Sequence, residues 1–156
     1  ARVASSTLLV NATSVDIRVP ARRLYLIHGF FGILSTADYV WMWINGDAGS
    51  NYNFTVSTNG GASADGNATA FPFNGQVSTT TPTTADIFVT NVTGSVKSMR
   101  SNGMMIQSVN LVFPTLYDSA SFLSSSSSIT RFSFLTQGGT ATMASGTQVD
   151  IYGSNN

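Results

Sequence analysis

Hydrophobic residues in this chain come in short β-branched and aromatic runs, and no long stretch repeats them at the three- and four-residue spacing of a helix face. Ten runs read as strands: 8–10, 15–19, 24–31, 39–45, 53–57, 87–90, 104–113, 129–135, 140–143 and 148–152. Between them stand residues that take positive φ cheaply, in Asn45-Gly46, Asn59-Gly60-Gly61, Asp65-Gly66, Asn74-Gly75, Asn102-Gly103 and Gly138-Gly139. Two polar stretches, 59–84 and the serine run 124–128, read as loops at an end of the fold. Strand number and spacing predict an all-β protein in a single domain, two antiparallel sheets packed as a jelly-roll sandwich, with a closed small barrel as the alternative that strand count alone does not separate. The small, polar residues 1–7 are expected to be an N-terminal arm, and the domain to run over residues 8–156.

The most informative run is Asp38-Tyr39-Val40-Trp41-Met42-Trp43-Ile44. As a strand it puts Tyr39, Trp41 and Trp43 on one face and Val40, Met42 and Ile44 on the other. Neither face suits water, so the pattern predicts cover from a second sheet on one side and from a partner chain on the other. Tyr39, Trp41 and Trp43, together with Phe30 and Phe31, are the candidate contact residues.

Composition sharpens this. Hydrophobic residues make up 42% of the 156 and charged residues only 9%, with no glutamate and a formal net charge of zero. A surface this poor in charge lacks the repulsion that keeps monomers apart, and it offers no basic field for phosphates or anionic lipid. Neither a nucleic acid nor a membrane is an expected partner. No run is long and apolar enough to cross a bilayer as a helix, and the start of the chain lacks a charged segment followed by an apolar one, so synthesis in a cytoplasm is expected.

Candidate chemistry is thin. Leu24-Tyr25-Leu26-Ile27-His28-Gly29 resembles the strand and oxyanion loop of an α/β-hydrolase, but the chain has no Gly-x-Ser-x-Gly elbow and no second histidine. With one histidine and no cysteine, the usual zinc constellations cannot form within one chain. The oxygen-rich stretch Asn45, Asp47, Ser50, Asn51 lacks the closing glutamate of an EF-hand and reads instead as a turn capped by side chains. The seven acidic residues, all aspartates, are scattered singly. No catalytic, metal or cofactor residue is assigned, and an enzyme is not expected.

Two segments carry a resemblance. The aromatic strand flowing into Asn45-Gly46-Asp47-Ala48-Gly49-Ser50-Asn51-Tyr52, and the closing Gly146-Thr147-Gln148-Val149-Asp150-Ile151-Tyr152-Gly153, resemble the small jelly-roll virion proteins of tailed bacteriophages. That resemblance implies a capsid decoration or cement protein, a homotrimer on the outer capsid surface that bridges major capsid subunits. The alternative it implies is a receptor- or glycan-binding module of a tail fibre, collar or baseplate. Asn45, Gly46, Asp47, Gly49, Asn51 and Tyr52 would form a rigid structural turn: glycines permit the reversal, Asp47 and Asn51 satisfy backbone donors, and Tyr52 re-enters the core.

Overall fold

Alternation between buried and exposed positions dominates the computed structural model, which describes residues 1–32, 34–74, 76–77, 79–105 and 115–155. Every regular element among them is a strand: β1 (Arg2–Thr7), β2 (Ser14–Arg18), β3 (Leu24–Phe31), β4 (Asp38–Ile44), β5 (Tyr52–Thr58), β6 (Ala64–Ala68), β7 (Gln76–Val77), β8 (Thr83–Thr90), β9 (Lys97–Met105), β10 (Thr115–Leu123), β11 (Arg131–Thr136) and β12 (Gln148–Ser154). All the pairings are antiparallel. They build an eight-stranded sheet in the order β1-β12-β3-β8-β9-β10-β5-β6 and a four-stranded one in the order β2-β11-β4-β7.

The two sheets share one core. Val15 and Ile17 of β2, Val40, Met42 and Ile44 of β4 and Phe132 and Phe134 of β11 meet Tyr25, Ile27 and Phe31 of β3 and Val149 and Ile151 of β12. Rings tie the layers together: Phe31 lies 5.7 Å from Phe134 and 5.2 Å from Phe73, and Tyr25 stands edge-on to Phe132 at 5.1 Å. Edge-to-face and tilted pairs at such separations add to the gain from area buried.

Several sequence expectations are corrected. Residues 1–7 do not hang free as an arm, because Arg2–Thr7 pairs with β12 as an edge strand of the large sheet. Residues 8–10 and 140–143 form no strand; Met143 makes only isolated bridges to Ala12 and Leu34. The expected loop 59–84 contains β6, β7 and the start of β8, and β10 was not among the expected strands. Asp65-Gly66 and Asn102-Gly103 lie inside β6 and β9 rather than at turns. The far part of the expected strand 104–113 lies outside the described residues, as does Gly75. Asn45-Gly46 and Asn59-Gly60 do turn the chain, with φ of 54° and 74° in the first pair and 52° and 70° in the second.

The His28-Gly29 pair has a packing explanation. A Cβ on Gly29 would stand 2.5 Å from the Phe31 ring, so the absent side chain is what lets that core ring lie where it does. Phe134 is wholly enclosed between Phe31 and Phe73. Phe134→Ala is therefore expected to lower unfolding free energy by about 3–5 kcal/mol, read as a fall in the urea midpoint with the slope unchanged.

Candidate functional site

The turn after β4 is held by side-chain and backbone hydrogen bonds. Asn45 accepts from the backbone N–H of Thr130 at 2.8 Å and of Arg131 at 3.1 Å, and its Nδ2 donates to the Ser128 carbonyl at 2.9 Å. Asp47 accepts from the Gly49 N–H at 2.9 Å and from Asn51 Nδ2 at 3.0 Å. The enclosed Tyr52 hydroxyl accepts from the Ile44 N–H at 2.8 Å and donates to the Asp47 carbonyl at 3.3 Å. This loop welds β4, β5 and the entry to β11 into one corner. The side-chain oxygens of Asn45 and Asp47 are taken up by backbone and amide donors, and no cluster of metal-ligating side chains stands among the described residues.

The candidate contact residues separate. Phe31 is wholly buried, so its ring offers no surface to another chain. Tyr39, Trp41 and Trp43 share the face of β4 opposite Val40, Met42 and Ile44, as alternation demands, but they are half-buried within this one chain. Both indole Nε1 atoms are enclosed without a hydrogen-bond partner. Only Phe30 stands well exposed, on the outer face of the eight-stranded sheet.

That outer face is the feature the sequence reading missed. Of the twelve large apolar side chains exposed among the described residues, eight belong to it: Leu24, Leu26, Phe30, Phe88, Met104, Leu116, Phe122 and Tyr152. Register arranges them in rows across the strands. Tyr152, Leu26 and Phe88 lie side by side and lead to Arg100, Ala120, Thr55 and Asp65. On the other side, Phe30, Thr84, Met104 and Leu116 make a second apolar row. Between the two runs a polar row of Asp150, His28, Asp86, Asn102 and Asp118. His28 Nδ1 and Asp86 Oδ1 are 2.6 Å apart, so the chain's one histidine serves a cross-strand pair in mid-sheet.

The first apolar row and its neighbour, Leu24 to Phe122 to Asn67, floor an open trough of about 930 Å³ that crosses the sheet from β12 to β6. Signals for this face were present: apolar residues on both sides of β3 and, in β10, large residues at the positions opposite Ser119 and Ser121. Isolated apolar positions on a surface are ordinary; two apolar rows on one sheet face are not.

Two outcomes test the buried phenols. Tyr52→Phe strips the Ile44 N–H of its acceptor and is expected to cost about 1–3 kcal/mol in urea unfolding. Burial pushes the Tyr52 phenol far above its ordinary value and that of Tyr117 to about 12, Tyr39 adding to the latter. Because the folded chain holds these protons longer than the unfolded one, the stability they contribute is complete below pH ~10 and is lost as pH climbs toward 12. Urea midpoints at pH 8, 10 and 11 are expected to fall across that window, and to fall less in Tyr117→Phe. No family model, curated protein or solved structure matches this chain.

Proposed function

We propose that this chain is a structural assembly module that docks through the outer face of its eight-stranded sheet, and that its setting is the surface of a virion, as a homotrimeric decoration protein. One observation carries the reading: eight large apolar side chains gathered on a sheet face that no element among the described residues covers. A chain with only 9% charged residues has little repulsion to keep such a face apart from its partners. Bridging neighbouring shell proteins with three copies turns a modest contact into a lasting one by raising effective concentration.

Strand order supports the finer reading of a jelly roll. β2, β3, β4 and β5 alternate between the two sheets, and β10, β11 and β12 do so again, as in a chain wound around its core. The β8-β9-β10 meander then widens the larger sheet. The alternative of a glycan-binding module has less behind it, since the two tryptophans that would stack on sugar rings are half-buried in the other sheet.

Light scattering on the purified protein is expected to give about three times the 16.5 kDa of one chain, and hundreds of copies are expected per particle. A stable monomer overturns the trimer, and a few copies per particle overturn the decoration role. Replacing both Phe88 and Phe122 with Ser removes two rings that are each about half exposed, so thermal stability is expected to move by about 1 kcal/mol or less while particle binding weakens about tenfold or more.

A further inference from the structure

Charge inside the trough identifies what kind of segment it receives. Arg100, Ala120, Thr55 and Asp65 stand side by side on β9, β10, β5 and β6, all of them lining the trough. Among the described residues, neither the Arg100 guanidinium nor the Asp65 carboxylate has an ion-pair or side-chain hydrogen-bond partner. Three strand steps separate them, about 14 Å, and the two residues between are small. On the far side of Arg100 the floor turns apolar, through Phe88 and Leu26 to Tyr152.

This layout matches an extended polypeptide lying across the strands. Four residues of extended chain also cover about 14 Å, and residues at i, i+2 and i+4 point to the same side. An acidic residue over Arg100 therefore puts a basic residue four positions later over Asp65. The side chain midway between them drops onto Ala120 and Thr55, where there is room for a ring. The residue two before the acidic one falls between Phe88 and Leu26, and the residue four before it over Tyr152. From β12 to β6 the floor spans six strand steps, about 29 Å, the reach of eight or nine extended residues. A second copy of the same face fits poorly, because two concave surfaces set against each other leave a void.

We propose that the trough clasps an extended segment of a partner protein in which an acidic and a basic residue stand four apart, with a large apolar residue midway and further apolar residues at alternate positions before the acidic one. The proposal rests on the assembly reading and names the chemistry of its partner. Arg100 and Asp65 give the segment its direction and register, and the apolar floor supplies the contact area.

The test titrates the isotopically labelled full chain by NMR with acetyl-Leu-Ser-Leu-Ser-Glu-Ser-Phe-Ser-Lys-amide and with the same peptide carrying Gln for both Glu and Lys. Two partly desolvated ion pairs are expected to make the charged probe bind about five- to tenfold more tightly, with shifts centred on β8, β9 and β10. Arg100→Glu should abolish that preference. The double variant Arg100→Glu, Asp65→Lys should transfer it to a probe with Lys and Glu exchanged, an outcome that a merely damaged fold cannot give. Equal affinity for the charged and neutral probes, or a preference that survives the exchange, overturns the proposal. So does a self-associated state that Arg100→Glu dissolves, which makes a second copy the occupant, or displacement of the probe by a neutral oligosaccharide. If neither probe binds while the Phe88 and Phe122 replacements still weaken particle binding, the segment is overturned and the assembly reading stands.

Discussion

Everything in this fold leans on the rings that join the two sheets. Phe31, Phe73 and Phe134 form one cluster and Tyr25 with Phe132 another, and between them they hold β3 of the large sheet against β11 of the small one. A sheet of four strands has one face to give to that core, and so does a sheet of eight. Once the inner faces are joined, each strand's alternate residues are committed to the outside whatever their polarity. The apolar residues on the outer face of β3, β8, β10 and β12 are thus the residue of an alternation that the core cannot use.

How much of this could be read in the residues depended on whether burial and polarity agreed. In β3 and β12 the buried positions are apolar, and both strands were legible. In β10 burial and polarity part company: Ser119 and Ser121 are buried beside Tyr117 and Leu123, while Leu116 and Phe122 are exposed. A search for apolar periodicity passes over such a strand, because apolar and polar residues occur on both of its faces. β6 hid for a different reason, since Asp65-Gly66 carries turn chemistry yet sits on an edge strand, where the missing side chain lets the Phe54 ring approach.

The tryptophan strand taught the opposite lesson. Apolar residues on both faces of β4 suggest a partner chain, yet the face carrying Tyr39, Trp41 and Trp43 is half-covered by the chain itself. β4 is an inner strand of its sheet, hydrogen-bonded to β11 on one side and to β7 and Phe71 on the other. Long-range cover of this kind leaves no local trace, which is why periodicity sees the two faces of a strand and not what lies over them. The Asn45 to Tyr52 corner, by contrast, is made of contacts within a few residues of one another, apart from those to β11, and its chemistry was readable.

The edges of the large sheet and its outer face differ in what they offer another chain. The outermost strands are poor templates for strand addition: β6 is short and polar, and β1 carries a register shift between Arg2 and Ala4. On the proposed assembly reading, contact then falls to the face rather than to the edges. On that face the row of Asp150, His28, Asp86, Asn102 and Asp118 separates two apolar rows, and its carboxylates stand at every second strand. A purely apolar face would accept any greasy surface in any register. An interrupted one imposes a cost on every arrangement that buries the aspartates without a partner, so the same row that spoils the face for indiscriminate contact gives it the means to choose.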